Sequence, residues 1–234
     1  MVPARSSFTM AALLISWCQL CLDGSNALAQ GYTNLISDTS LSQWTKADGK
    51  PVDGGWVLEP GGVLHLSGKG GNLISRDEFG DFDLWFEYRI SEKGNNGIKY
   101  RVKKYGNSLL GLEYQIQDDQ AFPKMAEKHR TASLYDLFVP SQPFYVRDYK
   151  PLSDYNVGRI VVQNGRVRHW MNGRLIIDEY FGTPRWMEAV ANSKFRNHEG
   201  FGQNTVGRLM LTDHNSEVWL RNVFIRRLDG CSQI

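Results

Sequence analysis

Apolar and polar residues alternate strictly in the stretch that runs from residue 94 to residue 119. The first half interleaves apolar side chains with cations, in the order Ile98, Lys99, Tyr100, Arg101 and Val102. Because successive side chains of a β-strand point to opposite faces, this pattern predicts a strand with one apolar face and one charged face.

The second half of the stretch alternates in the same way. Its residues are, in order, Leu112, Glu113, Tyr114, Gln115, Ile116 and Gln117. Together the two halves predict a hairpin whose polar face collects a cation, a carboxylate and amides beside aromatic residues. Such a face is typical of a surface that binds polyols, and an ordinary solvated sheet face is the alternative.

Strand-like alternation recurs along the rest of the chain. It covers residues 54–58, 63–66, 81–90, 156–163, 166–171, 174–179, 207–212 and 217–227. Asn-Gly pairs at 164–165 and 172–173 are typical of two-residue hairpin turns. The last two segments are predicted to form a pair of antiparallel strands. Many short strands with almost no helix predict an all-β sandwich formed by one domain.

One helix and one long loop interrupt the strand pattern. The helix is predicted at 184–192, with Thr183 as its N-cap and Pro184 in its first position. The loop covers 118–157 and contains four prolines. Loops of this length in a compact domain are usually functional or disordered, and the aromatic residues here, among them Tyr135, argue against disorder. We expect the loop to fold over one face of the sheet.

The first 29 residues have the composition of a signal peptide. Arg5 supplies the positive charge, an apolar run follows from 10 to 22, and Ala27-Leu28-Ala29 matches a cleavage site. The mature chain is therefore expected to form a single domain over 30–234. We expect it to be exported to the periplasm or the extracellular space.

Cysteine content and charge restrict the classes of partner. Cys18 and Cys21 lie in the signal segment and match no lipoprotein motif, so no membrane anchor is expected. Cys231 alone remains after cleavage, which leaves no intrachain disulfide. The net charge of +2 is small and the basic residues are scattered, a distribution that does not favour nucleic acid binding. Nothing in the sequence indicates an organic cofactor.

Six motifs occur together in a fixed order along the mature chain. They are N-N-G-I-K-Y-R-V (95–102), G-L-E-Y-Q-I-Q-D-D (111–119), H-R-T-A-S-L-Y-D-L (129–137), H-W-M-N-G (169–173), S-K-F (193–195) and D-H-N-S-E-V-W-L-R-N-V (213–223). As an ordered set they resemble the 3-keto-disaccharide hydrolase family. The resemblance implies a concanavalin-like jelly roll of two curved antiparallel sheets with a concave face. It also implies a 3-keto sugar as the substrate, which a separate oxidoreductase would supply.

Three positions depart from the motifs that are usual in this family. Thr212 and Asn215 stand where the family often has Gln and Gly, and Ala132 replaces a usual Gly. These departures concern the contacts near His214 more than they concern the fold.

The chemistry implied by the resemblance begins at the ketone on C3, which acidifies the hydrogen on C2. A base removes that proton, the aglycone on C1 leaves by β-elimination, and water then adds to the glycal. Such a site needs a base, a group that stabilises the enolate and an acid for the leaving oxygen. Either a cation or a divalent metal ion can stabilise the enolate.

Candidates for these roles lie on the polar strand face and in later segments that the resemblance places near it. The catalytic candidates, with the first choice of base first, are His129, Glu113, His214 and Lys194. The expected substrate contacts are Tyr100, Arg101, Gln115, Tyr135 and Trp170. The candidate ligands of a divalent metal ion are Asp118, Glu113, His129 and His214. His169 alternates with apolar residues and is expected to be structural.

Two other functions fit parts of the sequence. A two-carboxylate glycoside hydrolase of this fold would carry E-x-D-x-E on one strand, but here Gln115 stands at the middle position and cannot protonate a leaving group. A lectin-like sugar binder would stack sugar rings on Trp85, Trp170 and Tyr100. The long loop favours an enzyme over a binder, because such a loop can exclude water from a site.

Overall fold

Two antiparallel β-sheets pack face to face in this computed structural model, which describes residues 24–37, 39–141 and 154–228. In chain order the strands are β1 (Thr33–Asn34), β2 (Trp44–Lys46), β3 (Trp56–Glu59), β4 (Val63–Leu66), β5 (Leu73–Phe79), β6 (Phe82–Ile90), β7 (Asn95–Tyr105), β8 (Ser108–Gln117), β9 (Asn156–Gln163), β10 (Arg166–Met171), β11 (Arg174–Tyr180), β12 (Gly207–Leu211) and β13 (Val218–Arg227). The helices are α1 (Gly24–Ala29) and α2 (Pro184–Ala191), and a 3₁₀ turn covers Glu127–His129. The predicted all-β sandwich is confirmed.

The two sheets differ in size and share one core. Seven strands of the eight-stranded sheet follow the order β11-β10-β9-β6-β13-β4-β3, and β1 pairs with β13 as the eighth. The five-stranded sheet has the order β2-β5-β12-β7-β8. The hairpin predicted at 94–119 forms β7 and β8 at one edge of this smaller sheet.

Strand alternation supplies the core, as β6 illustrates. Its even-numbered residues, Phe82, Leu84, Phe86, Tyr88 and Ile90, are all buried in the shared core. The core therefore lies between the sheets, and each sheet keeps an outer face that is turned away from it. We call the outer face of the five-stranded sheet the site face.

A β-bulge in β7 changes which residues reach the site face. Tyr100 pairs with Leu112 but Lys103 pairs with Leu110, so β7 contains one extra residue between these pairs. Arg101 takes up the extra length with φ of 51°. Because a one-residue shift exchanges the faces of a strand, the predicted alternation is wrong beyond Tyr100. Val102 lies outside the core cluster, and Arg101 does not join Lys99.

The local turn and helix predictions are confirmed. Asn164 and Gly165 connect β9 and β10 with φ of 52° and 75°, which are the positive values that a two-residue hairpin turn requires. Helix α2 begins at Pro184, and the Thr183 hydroxyl accepts the backbone N–H of Trp186 at 3.2 Å. Trp186 is completely buried and anchors the helix on the core.

The described part of the long loop, residues 118–141, follows the free edge of β8 through residues 130–136. That the loop folds over one face of the sheet stays a prediction. Ala132 N–H donates to the carbonyl of Gln115 at 2.7 Å, and Tyr135 N–H donates to the carbonyl of Glu113 at 3.0 Å. We call residues 129–136 the edge segment. Residues 142–153 of the loop lie outside the described residues.

The last two strands lie in different sheets. β12 pairs with β5 and β7, whereas β13 pairs with β6, β4 and β1. The prediction of two adjacent antiparallel strands is therefore wrong, since residues 212–217 carry the chain from one sheet to the other. This connection places His214 at the end of the five-stranded sheet.

The amino-terminal region is described only from Gly24. Ala27 of α1 is buried against Tyr32 and Phe224, while cleavage after Ala29 stays a prediction. Among the described residues, no helix is long and apolar enough to cross a membrane.

A buried histidine connects the two sheets. His169 of β10 is completely buried, as expected, and its Nε2 lies 2.9 Å from the hydroxyl of Tyr100 in β7. Its Nδ1 lies 3.2 Å from the carbonyl oxygen of Ala132 in the edge segment. A neutral ring satisfies both contacts, because Nδ1–H donates to the carbonyl while Nε2 accepts the Tyr100 O–H. Burial accordingly lowers the pKa of His169 to about 4.

We therefore expect His169 to make the fold sensitive to mild acid. In the unfolded chain the imidazole takes up a proton near pH 6.5, whereas the folded chain resists this until about pH 4. Stability should fall across this interval by up to roughly 3 kcal/mol. In urea unfolding, His169→Gln should be less stable than the wild type at pH 7, and the difference should shrink as the pH approaches 4. Parallel pH profiles of the two proteins would contradict this assignment, and His198→Gln is the matched control.

Candidate active site

A ladder of paired residues crosses the site face. Ile74, Met210, Lys99 and Glu113 are successive Cα partners on β5, β12, β7 and β8. The edge segment continues the row, because Tyr135 bonds to the backbone of Glu113. The row changes from apolar at β5 to charged at β8. We call Lys99, Glu113, Tyr135, Lys194 and His214 the charged cluster.

Glu113 is the only carboxylate of the charged cluster, and only 4% of its side chain is exposed. It fits there because residue 97 is glycine. A Cβ at Gly97 would lie 2.3 Å from Oε1 of Glu113, so the carboxylate occupies the space that a side chain would need. Lys99 Nζ lies 3.8 Å from the other oxygen of Glu113. The two opposite charges therefore lie close together on the site face.

Amide side chains continue the polar face along β8. Nε2 of Gln115 donates to Oε1 of Gln117 and to Oδ1 of Asn95, both at 2.9 Å. Gln115 and Gln117 are both buried. The amides therefore fix one another beside Glu113, and the strand supplies no second carboxylate at these positions.

Tyr135 and Lys194 form one side of the charged cluster. Lys194 Nζ lies 4.2 Å from the centre of the Tyr135 ring. Partial burial lowers the pKa of Lys194, with Lys99 acting in the same direction, while Glu113 and Asp136 oppose the shift. The pKa of Tyr135 is raised, first by burial and then by the negative charges of Glu113 and Asp136.

His214 lies in the connection between β12 and β13. Partial burial lowers the pKa of His214, and the nearby cations Lys99 and Lys194 lower it further. Glu113 acts in the opposite direction, which places His214 in the same electrostatic group. The imidazole is therefore neutral at neutral pH, and it is accessible because His214 is exposed.

Asp213 fixes the backbone beside His214. Its Oδ2 accepts the backbone N–H groups of Gly70 at 2.9 Å and Gly71 at 2.7 Å, and its Oδ1 accepts that of Asn215 at 2.8 Å. Asn215 has φ of 63°, a conformation that glycine and asparagine adopt more readily than other residues. This conformation suits both asparagine and the glycine that the family resemblance implies at this position.

His129 lies next to the charged cluster and is held by Asp136. Its Nε2 lies 2.7 Å from Oδ1 of Asp136, and its ring stacks on Tyr135 with centroids 4.8 Å apart. The same carboxylate contacts Lys128 Nζ at 2.7 Å and accepts the backbone N–H of Lys194 at 2.6 Å. Hydrogen bonds from these three groups lower the pKa of Asp136 although burial opposes them. His129 therefore supports Tyr135, while Asp136 joins the edge segment to Lys194.

The four predicted metal ligands do not form one group, although Glu113 and His214 share the charged cluster. Asp118 turns away from Glu113, and its Oδ2 accepts the backbone N–H of Lys93 at 2.9 Å. His129 is engaged by Asp136. Within the described ranges, no group of three His, Cys, Asp or Glu side chains is arranged to hold a metal ion. Asp118 lies beyond the end of β8 and is held by the turn before β7, which explains its separation from Glu113.

Two predicted substrate contacts lie away from the site face. Tyr100 is completely buried in the core, where it bonds to His169. Arg101 turns at the bulge, and its Nη2 lies 3.3 Å from Oδ1 of Asp81 while its guanidinium lies 4.6 Å from the centre of the Phe181 ring. Tyr100 is absent from the site because its side chain points into the core. Arg101 is absent because the extra residue in β7 turns it away from Lys99.

Trp170 is also remote from the charged cluster. It alternates with buried residues of β10, so it lies on the outer face of the eight-stranded sheet. The guanidinium of Arg159 stacks between Trp170 and Trp85, at 5.2 Å and 5.9 Å from the two rings. Three of the proposed sugar contacts, Tyr100, Arg101 and Trp170, are thus separate from Glu113, whereas Gln115 and Tyr135 lie beside it.

Two residues of the site were absent from the candidates that the sequence suggested. Lys99 is the direct cross-strand partner of Glu113, and its place on the polar face of the hairpin is the signal that could have identified it. Asp136 is separated from the hairpin in sequence. No periodic pattern marks it, because it lies in an irregular segment with φ of 60°.

Comparison with known proteins agrees with this architecture. The sequence model of a family described as the 3-keto-alpha-glucoside-1,2-lyase-like domain matches residues 31–226. A Bacteroides thetaiotaomicron protein named 3-keto-disaccharide hydrolase is 29% identical over 236 residues, which cover 86% of this chain and 80% of that protein.

Solved structures extend the comparison to the fold. A Parabacteroides distasonis protein, crystallised as a candidate glycosyl hydrolase, superposes with a TM-score of 0.77 at 26% identity, over 89% of this chain and 98% of that chain. A Bacillus subtilis protein with a galectin-like fold gives a TM-score of 0.50 at 12% identity, over 84% of this chain and 98% of that chain, and this likeness concerns the fold alone. The expected jelly-roll sandwich is confirmed.

Asp136→Asn should show how far the site depends on this carboxylate. Asparagine tolerates the positive φ at position 136 but removes the charge that three donors share, so we expect a loss of about 1–3 kcal/mol in the free energy of unfolding at pH 7. Because the pKa of Asp136 is lowered in the folded protein, this contribution should disappear as the pH falls below the ordinary carboxyl range.

The matched control is Asp178→Asn, which removes an ion pair with Arg166 that is about one-third exposed on both sides. This variant should lose less than about 1 kcal/mol. Equal losses in the two variants would mean that Asp136 has no special role.

Proposed function

Because the chain belongs to the 3-keto-alpha-glucoside-1,2-lyase-like domain family, we propose that it cleaves the glycosidic bond of 3-keto-glycosides by β-elimination followed by hydration. Its membership of the family makes it a carbohydrate-active hydrolase or lyase. The observation that carries the more specific proposal is the composition of the charged cluster. Lys99 lies 3.8 Å from Glu113, and Glu113 also acts electrostatically on Lys194 and on the neutral His214.

This composition fits a reaction that passes through an anion. The ketone at C3 makes the C2 proton acidic, and its removal leaves an enolate whose negative charge lies on the ketone oxygen. Cationic groups fixed near that oxygen stabilise it in the transition state. Lys99, held beside Glu113, is suited to this role, and Glu113 holds its ammonium group in place.

His214 is the proposed base. It is neutral at neutral pH because its pKa is lowered, and its exposure allows a bound sugar to reach its ring nitrogen. It accepts the C2 proton while the C2–H electron pair forms the C2–C3 double bond and the carbonyl electrons move onto the ketone oxygen. Collapse of this enolate restores the ketone, forms the C1–C2 double bond and breaks the C1–O bond. His129, the first choice from the sequence, instead acts on Tyr135, because Asp136 engages its Nε2.

Lys194 is the proposed acid for the leaving oxygen. Its lowered pKa makes its ammonium group a stronger acid than an ordinary lysine, and it lies over Tyr135 at the edge of the same face. The departing oxygen takes this proton. Addition of water across the double bond then gives 3-keto-glucose, with the hydroxyl on C1 and the proton on C2.

A two-carboxylate mechanism has less support. Gln115 and Gln117 occupy the positions that follow Glu113 on its face, and each is fixed in an amide hydrogen bond. A lectin-like function loses its proposed stacking residues, because Tyr100 is buried while Trp85 and Trp170 lie on the other sheet.

The proposal also includes the origin of the substrate. A 3-keto-glycoside arises only by oxidation of a glycoside, so a separate oxidoreductase has to supply it. Because residues 1–29 resemble a signal peptide, we propose that oxidation of the glycoside and cleavage of the 3-keto-glycoside both take place in the periplasm or outside the cell.

His214→Gln should abolish proton removal from C2. In D₂O the wild type should incorporate deuterium at C2 of a 3-keto-glucoside and release the aglycone, and the variant should do neither at a rate above about 1% of wild type. The wild-type value of kcat/KM should fall as the pH drops below 6.5, because the base becomes protonated, and the variant should lack this acidic limb. The rate should also fall on the alkaline side, at a pH below the range in which an ordinary lysine titrates, because Lys194 then loses its proton.

Three outcomes would contradict the proposal. Exchange at C2 that persists in His214→Gln but disappears in Glu113→Gln would make the carboxylate the base. Turnover that is lost in EDTA and restored by a divalent ion would mean that a metal ion stabilises the enolate instead of Lys99. Binding of the substrate with neither exchange nor aglycone release would identify a sugar binder.

Gly97→Ala should damage the site without unfolding the protein. The added Cβ would meet Oε1 of Glu113, the far end of a flexible side chain, so Glu113 must move away from Lys99. We expect kcat/KM to fall by at least about tenfold while the free energy of unfolding changes by less than about 1.5 kcal/mol. Gly68→Ala is the matched control, because a Cβ there meets nothing within 4 Å. Full activity in Gly97→Ala would remove Glu113 from the mechanism.

A further inference from the structure

A second recess on the site face has a different chemical character. It is a cleft of about 280 Å³ between β2, β5, β7, β8 and β12. Its floor is apolar and is formed by Ile74, Val102 and Leu109, which cluster outside the main core. The bulge in β7 creates this floor, because it turns Val102 to the site face.

The cleft is continuous with the charged cluster. Ile74 lines the cleft and also begins the ladder that passes through Met210 and Lys99 to Glu113. Three strand spacings separate Ile74 from Glu113, which is about 14 Å. A group bound in the cleft therefore belongs to a part of the substrate beyond the ring that reacts.

The rim of the cleft is positively charged. Lys103, Lys104 and Arg208 line it, and within the part of the chain that the structure describes none of them forms an ion pair. Lys46 also lines the cleft, but its ammonium group pairs with Asp53. Glu78 is the one carboxylate among the lining residues, so the cations remain in excess.

We infer that this cleft binds a carboxylate carried by the aglycone, so that the enzyme prefers 3-keto-glycosides of acidic sugars over neutral ones. The inference rests on the proposed function, since it assigns the leaving part of the same substrate. The apolar floor excludes water from one side of the bound sugar, and the three unpaired cations supply the charge that recognises the carboxylate. A structural explanation is available as well, because long basic side chains often cover apolar surface with their stems.

The test compares two substrates that differ only in charge, a 3-keto-glucoside of glucuronate and the same 3-keto-glucoside of glucose. The wild type should have the higher kcat/KM on the acidic substrate, and the preference should decline as salt is added. Arg208→Gln and the double variant Lys103→Gln/Lys104→Gln should each lower the acidic-to-neutral ratio, by about threefold to fivefold per charge removed.

Glutamine keeps most of the stem, so these variants separate charge recognition from the covering of the apolar floor. Lys93→Gln is the matched control, because it removes an exposed lysine in the turn before the opposite end of β7. A wild-type preference for the neutral substrate, or a ratio that none of the cleft variants alters, would overturn the inference while the proposed function stands. Failure of the wild type on both substrates would instead reject the proposed function.

Discussion

The neutral imidazole of His169 between the two sheets is the interaction on which the arrangement of the site depends. It accepts a hydrogen bond from Tyr100 of one sheet and donates one to Ala132 of the edge segment, so three separate parts of the chain meet at one ring. A charged imidazole could not make both contacts, because both ring nitrogens would then be donors. Complete burial keeps the ring neutral, and neutrality in turn allows the two bonds.

The edge segment connects His169 to the charged cluster. Ala132 is held with φ of 64°, a conformation that suits the glycine that the family resemblance implies at this position. From there the segment runs beside β8 and brings Tyr135 against Glu113. Asp136 follows and fixes the backbone of Lys194, which places a cation over the Tyr135 ring. The long loop thus contributes to the site by extending the sheet at its edge.

Strand periodicity predicted the sheets, the turns and the face that carries Glu113, because the apolar residues that form the core repeat every second position. The same rule failed beyond Tyr100, where one extra residue in β7 exchanged the faces of Arg101 and Val102. No local pattern marks such a bulge in a single sequence. The position of Trp170 relative to Glu113 could not be predicted either, because it depends on how distant strands are ordered in the two sheets. Asp136 could not be placed because it lies in an irregular segment without a periodic pattern.

The charge of the site separates two ways of breaking a glycosidic bond. Ordinary glycoside hydrolysis develops positive charge on the sugar ring and uses a pair of carboxylates. Here the site face presents two lysines against one carboxylate, and the next two positions on the same strand face are amides that bond to each other. Such a site would oppose a cationic transition state and favour an anionic one. An enolate requires a carbonyl next to the carbon that loses its proton, so the excess of positive charge itself argues for a substrate that has already been oxidised.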